Sequence, residues 1–217
     1  MRKTVLALII ALIALAAWQY KLQKTANQQL LIAEQRVKGV VSAGTNDLDF
    51  KDLTELRKLP ANIPDIPNLK SLNARGTNLS DLTGLEGNAT LERLDVNMTR
   101  VSDLSALNGL PNLKLVYLHD TWVSDISPLA TLPSLERLDI GKTQIETLVP
   151  VLQIENLNWL NLHNSHALDG SGEQFAILQE RPFLQLSGGS GFRQNYQPGW
   201  QYNMMQHLSR LREKLGL

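Results

Sequence analysis

Written in rows of 22 residues from Leu69, the chain begins on leucine five times over, at Leu69, Leu91, Leu113, Leu135 and Leu157. Position 4 of each row is apolar (Leu72, Leu94, Val116, Leu138, Leu160), and so is position 6 (Ala74, Val96, Leu118, Ile140, Leu162). Position 9 always carries a hydroxyl (Thr77, Thr99, Thr121, Thr143, Ser165), and position 11 is apolar again (Leu79, Val101, Val123, Ile145, Ala167). Four rows continue with Leu82, Leu104, Ile126 and Leu148, then with Leu85, Leu107, Leu129 and Val151. No register slips across the four boundaries. A repeat of this length is one supersecondary unit that cannot bury its apolar face alone, so successive rows must stack into a solenoid.

Positions 4 and 6 alternate with polar residues, the period of a strand with one face buried. Stacked strands from successive rows predict a parallel sheet that climbs about 4.8 Å per row. The second half of each row, such as Ser102-Asp103-Leu104-Ser105-Ala106-Leu107, returns the chain on the outside. It is too short for a full helix, so a 3₁₀ turn or single helical turn is expected, capped by Ser102 or Asp103 and by Ser124 or Asp125. Ser105 and Ala106 are expected on that convex surface. At position 9 the hydroxyl donates and accepts, satisfying backbone groups that the corner after the strand leaves unpaired.

These rows, of which Leu113 to Ser134 (LKLVYLHDTWVSDISPLATLPS) is representative, resemble the leucine-rich-repeat family. The likeness is to the 22-residue subtype of the internalins and of a phosphatase-regulating repeat protein, and it covers residues 69–168. It implies an α/β solenoid: a leucine-rich-repeat arc with a parallel β-sheet on the concave face and 3₁₀ or short helical turns on the convex face. It also implies protein binding without chemistry. The chain departs from the family in carrying Thr or Ser where Asn is usual, so its corner hydrogen bonds are not the family's.

The ends read as caps. Residues 40–68 form an N-terminal cap with a partial repeat, because Asp52 to Pro60 matches the return segment Asp125 to Pro133, offset by about seven inserted residues around Ala61 to Pro67. Residues 169–217 form a C-terminal cap: a helix from Ser171 through Glu180, a last strand at Leu184 and Leu186, a flexible Gly188-Gly189-Ser190-Gly191 link, and a closing amphipathic helix between Pro198 and Leu215. Terminal repeats need such covers.

Upstream, Arg2 and Lys3 precede an apolar run from Val5 to Trp18. A charged start followed by an apolar core reads as an export signal. Trp18 and Tyr20 stand where interfacial aromatics anchor a span, and residues 4–20 are at the short end of what crosses a bilayer. The expectation is an uncleaved membrane helix within residues 1–20. It would place a single-pass protein in a bacterial inner membrane with its repeats in the periplasm. The alternative is a cleaved signal peptide, since Ala14-Leu15-Ala16 has the spacing of a cleavage site, giving an exported soluble or cell-surface protein. Residues 21–39 carry apolar Leu22, Ala26, Leu30, Ala33 and Val37 on one helical stripe and read as a helical stalk.

Several function classes fall away. Lys plus Arg and Asp plus Glu both number 21, giving a formal net charge of zero, and the basic residues are interleaved with acids, so nucleic acid is not a partner. With no cysteine there is no disulfide framework, thiolate ligand or thiol nucleophile. His119, His163, His166 and Asp120 fall on the strand face, but same-column residues two rows apart are about 10 Å apart, too far to share one metal. Asp95 and Asp139 are likewise two rows apart, and each has an Arg two residues earlier on the same face. Such an Arg lowers a carboxylate pKa, the wrong direction for a general acid, so both are expected as solvated ion pairs with Arg93 and Arg137. No cofactor is implied and the chain reads as a non-enzyme.

What remains is the strand face, positions 3, 5, 7 and 8 with position 10 at the rim. Its candidates for holding a protein partner are Arg93, Asp95, Tyr117, His119, Trp122, Arg137, Asp139, Trp159 and His163. Aromatics beside arginines are the composition of interface hot spots. The leading expectation is a protein-binding platform on the outer side of a membrane, of scaffold, adaptor or immunity type. The alternative is a glycan or peptidoglycan binder of the cell envelope, with Trp159 and Tyr117 stacking on sugars.

Overall fold

The computed structural model describes residues 2–165, 172–181 and 183–187. Strands β1 (Asp47–Asp49), β2 (Ser71–Asn73), β3 (Arg93–Asp95), β4 (Leu115–Tyr117), β5 (Arg137–Asp139), β6 (Trp159–Asn161) and β7 (Gln185–Ser187) form one parallel sheet in chain order. Leu72, Leu94, Val116, Leu138 and Leu160 pair in sequence across β2 to β6. This is the register of the 22-residue rows. Positions 1, 4, 6, 11, 14 and 17 of the rows merge into one continuous apolar core. The solenoid therefore arises because each strand is too short to bury its inner face except against the rows on either side.

The corner after each strand is built from two positions. At position 8 the backbone is left-handed in every row: Gly76 at φ 72°, Met98 and Asp120 at 58°, Lys142 at 52° and Asn164 at 53°. For a non-glycine residue this costs roughly 1–2 kcal/mol. The position stays in the sheet ladder nonetheless, since Met98, Asp120 and Lys142 N–H groups donate to the carbonyls of His119, Gly141 and His163 in the next row. At position 9 the expected hydroxyl column is present and buried. Thr77, Thr99, Thr121 and Thr143 donate to the carbonyls of Ala74, Val96, Leu118 and Ile140 at 2.6–2.8 Å. Thr77 and Thr99 also accept from the N–H groups of Leu79 and Val101.

The return segments carry 3₁₀ turns at Ser105–Leu107 and Ser127–Thr131, and a one-turn helix α2 at Val149–Leu152. Neither capping candidate is the N-cap, which is Leu104 in one turn and Ile126 in the other; the aspartate just before it closes a turn instead. Asp103 and Asp125 each accept from a backbone N–H two residues on, at 2.8 Å, and Asp81 does the same in the first row. The assignment of Ala106 to the convex surface does not hold. Ser105 is exposed, but Ala106 is 7% exposed and belongs to the core, because a tight turn directs one of two adjacent side chains inward.

The N-terminal half differs more from expectation. Helix α1 runs unbroken over Arg2–Ala43, beyond both the expected membrane segment and the expected stalk. Its stretch 21–39 is not a free stalk: Ala26, Ala33 and Val37 are buried, and Ala33 and Val37 join the repeat core. The stripe of small residues lies against the open end of the solenoid, whose apolar interior and edge backbone groups need covering. Gln29 accepts the N–H of Glu55 at 2.7 Å, Asn62 donates to the Glu34 carbonyl, and Arg36 holds Asp52 through two contacts of 2.6 Å. The partial repeat also sits in a different register. Strand β1 pairs Leu48 with Leu72, a row of 24 residues, so the insertion amounts to two residues and not seven. Phe50, fully buried, takes the place that the later rows give to position 6.

Among the described residues no helix is long and apolar enough to cross a membrane. The apolar run is followed at once by Gln19, Tyr20 and Lys21, which dilute it, and the side chains of residues 2–6 lie outside the described set. At the far end, helix α3 (Gly172–Gln179) precedes β7, which pairs Leu186 with Leu160 where the last strand was expected. Ser171, the Gly188–Gly191 link and the helix expected between Pro198 and Leu215 lie outside the described residues.

Candidate partner-binding face

With positions 4 and 6 turned into the core, positions 3, 5 and 7 of each strand project from the opposite face of the sheet. Three arginines there lie over aromatic rings. The Arg93 guanidinium is 4.6 Å from the Tyr117 ring centre, that of Arg137 is 4.9 Å from Trp159, and Arg100 at the rim is 5.8 Å from Trp122. Each stack joins adjacent rows. Trp122 is 58% exposed, while Tyr117 and Trp159 are half-buried with one ring face turned toward their arginines.

Asp95 and Asp139, expected as solvated ion pairs, are both buried. Position 5 is the reason. Asn73, Asp95, Asp139 and Asn161 each accept, through the side-chain oxygen, the N–H of the residue two positions on, at 3.1–3.2 Å. This Asx column pins the exits of β2, β3, β5 and β6, while in β4 Tyr117 occupies the position. Four Asx residues in five rows were the available signal. Arg93 does reach Asp95, at 3.3 Å. Arg137 does not pair with Asp139, which accepts instead from Asn161 Nδ2 at 2.9 Å and lies 3.6 Å from His119 Nδ1.

The histidines divide. His119 is half-buried, its backbone N–H donating to Asn97 Oδ1 at 2.7 Å and its ring lying over Gly141. A Cβ at Gly141 would stand 2.5 Å from His119 Nδ1, so the glycine admits the ring. His163 is exposed, and His166 lies outside the described residues. No group of three or more His, Asp or Glu side chains is placed to hold a metal ion among the described residues. On the N-terminal rim, Glu92 bridges Lys70 and Lys114 at 3.3 Å each, and hydrogen bonds from these two ammonium groups hold its carboxyl below the ordinary range.

Beside the Arg137–Trp159 stack, an open cleft of about 370 Å³ is lined by Glu136, Arg137, Asn158, Trp159, Phe183 and Gln185. The candidate residues taken from the sequence include two of these six. Phe183 belongs to the irregular last row, where periodicity no longer assigns faces, and Glu136 and Asn158 stand at position 2.

A family model for leucine-rich repeats, described as two copies, matches residues 111–153. No curated protein matches the chain. Among solved structures, a leucine-rich-repeat protein of Leptospira interrogans is 24% identical over 64% of this chain and 38% of its own, with a TM-score of 0.53. Internalin C2 of Listeria monocytogenes is 18% identical over 72% of this chain and 92% of its own, with a TM-score of 0.50. Another Listeria monocytogenes internalin is 22% identical over 53% of this chain, with a TM-score of 0.46. This chain spans 37% of that internalin and 38% of the Leptospira protein. Proteins built from such repeats are in general binding scaffolds without catalysis. The in-register rows, the matched pair of repeats and the solenoid shared with internalin C2 and the Leptospira protein give this chain the leucine-rich-repeat fold in its internalin-like form.

Proposed function

We propose that this chain is a non-enzymatic module that holds a protein partner on its exposed sheet face and is attached to a bacterial membrane through residues 4–20, with the repeats on the outer side. The observation that carries the binding reading is the set of three arginine–aromatic stacks on one face. Stacked arginines and aromatics are pre-ordered, so they lose little side-chain freedom on binding and present both apolar area and directed donors. The attachment reading is supported by the start of α1, where Leu8, Ile9, Ile10, Leu12, Ile13 and Leu15 are all exposed. A helix that is apolar around its circumference is stable only where something covers it, and Arg2, Lys3, Trp18 and Tyr20 flank the run as interfacial residues do.

The test uses the full chain with Tyr117, Trp122 and Trp159 all changed to Ala. In pull-downs from detergent-solubilised membranes of the host, proteins captured by the native chain should be lost with the triple variant and retained with Ser105→Lys on the opposite surface. A triple variant that melts as the native chain does and captures the same proteins rules the face out. For the attachment, the native chain should sediment with membranes after carbonate washing. A soluble species beginning near Ala17 would establish cleavage instead.

A further inference from the structure

Glu92-Arg93-Leu94-Asp95 and Glu136-Arg137-Leu138-Asp139 are the same tetrapeptide at the same row positions, two rows apart, yet their arginines end in different states. Arg93 neutralises its own Asp95. Asp139 is already engaged by the Gly141 N–H, the Asn161 amide and the nearby His119 ring. The neighbouring rows cause the difference. Two residues after Asp139 comes Gly141, which leaves room for His119, and the next row supplies Asn161. Beside Asp95 the next row supplies Tyr117. Among the described residues no carboxylate pairs with Arg137, which is exposed and has its guanidinium carbon 4.9 Å over the Trp159 ring centre. A guanidinium stacked on a ring keeps its in-plane N–H donors directed away from that ring.

Arg137 and Trp159 form one side of the 370 Å³ cleft, and Phe183 stands on it at 90% exposure. The Phe183 backbone is left-handed, at φ 73°, a conformation that bulky residues rarely adopt. The cleft thus combines two aromatic surfaces, the amides of Asn158 and Gln185, the Glu136 carboxylate, and one cation that pairs with no carboxylate among the described residues.

We propose that this cleft seats an Asp or Glu side chain of a partner protein together with an adjacent apolar side chain. The carboxylate takes the two outward donors of Arg137, the pairing for which a guanidinium is shaped, and the apolar neighbour lies between Trp159 and Phe183. The inference rests on the reading of this face as protein-binding and names the chemistry of what is bound. Glu136 on the same cleft opposes a continuous polyphosphate chain more than it opposes a single carboxylate, and exposed Phe183 with half-buried Trp159 exceeds what a lone small anion would cover.

The experiment probes the full chain with a synthetic array of 12-residue peptides. Their central residue is acidic (Asp or Glu), the matching amide (Asn or Gln), or Lys, flanked by Leu and Phe or by Ser. Acidic peptides with apolar flanks should bind, and the amide counterparts should bind at least about tenfold more weakly. Arg137→Gln should abolish the preference for acid over amide. Lys51→Gln, which removes an exposed cation from the first strand turn, should preserve it. A preference that survives Arg137→Gln overturns the inference. Binding that depends on Trp159 but is indifferent to the acid overturns it while leaving the protein-binding face intact. Peptide binding that ignores both Trp159→Ala and Tyr117→Ala removes the face itself, and the inference with it. A polyuronic acid or a 20-nucleotide strand held more tightly than every peptide, and released by Arg137→Gln, overturns it in favour of a polyanion.

Discussion

Gly141 offers the sharpest test of how adjacent rows interlock. Its backbone is not left-handed, so an alanine there would suffer no conformational penalty, and by restricting the unfolded chain it would ordinarily stabilise by about 0.4–1 kcal/mol. Here the added Cβ meets His119 Nδ1 at 2.5 Å, His119 Cε1 at 3.1 Å and the His163 carbonyl oxygen at 3.0 Å, where ordinary contact begins at 3.4 Å. The ring must swing out, leaving Asp139 and losing its packing. Overpacking of this kind costs roughly 1–3 kcal/mol, so Gly141→Ala should destabilise by about 1–2 kcal/mol net. In a His119→Ala background two of the three close contacts vanish and only the carbonyl at 3.0 Å remains. There the same substitution should be nearly neutral or mildly stabilising. The assay is urea denaturation of the four proteins of the cycle, followed by circular dichroism, with a coupling energy of about 1–2 kcal/mol expected between the sites. A coupling near zero would refute the reasoning, because it would mean that the ring is not held over Gly141.

Thr121→Val removes the donor to the Leu118 carbonyl at a buried corner and should cost on the order of 1–3 kcal/mol, whereas Thr25→Val on α1, where the hydroxyl only back-bonds along its own helix, should cost almost nothing; both are read from the urea midpoint. Ala106→Lys buries an ammonium group in the core and should abolish cooperative unfolding at 25 °C or lower the melting temperature sharply, while Ser105→Lys leaves it unchanged, a contrast that a thermal melt decides. The carboxyls of Asp52, Asp81 and Asp125 are held below the ordinary range, by the hydrogen bonds from Arg36, from the Thr83 hydroxyl and from the Ser127 hydroxyl respectively. A depressed folded-state pKa contributes stability that is complete above the unfolded value, about 4, and is lost as pH falls through the folded values. The urea midpoint should therefore be flat between pH 7 and 5 and fall below about pH 4. Asp81→Asn with Asp125→Asn keeps both turns and should flatten part of that fall.

The period of the rows was legible because it is local and repeated: a strand position and a corner hydroxyl recur every 22 residues, and each recurrence checks the last. From that alone follow the parallel sheet, its register from β2 to β6, the identity of the core and the hydrogen bonds of the Thr column. The final strand at Leu186 was legible too, from its alternation. Where the period fails, so did the reading. The first row is 24 residues long, so the match of Asp52–Pro60 to Asp125–Pro133 set it out of register and left its strand at Asp47–Asp49 unassigned. The stripe on residues 21–39 identified a helix, but it was read as a stalk, because nothing in the sequence says what buries that face. Only the tertiary structure sets that stripe against the open end of the solenoid, because the uncovered edge exists only once the rows have stacked. The same holds for the two Glu-Arg-Leu-Asp segments, identical in sequence and different in outcome. Whether an arginine is neutralised depends on what competes for its carboxylate, and the competitors, Asn161 and His119, come from rows 22 residues away that meet Asp139 only in the fold.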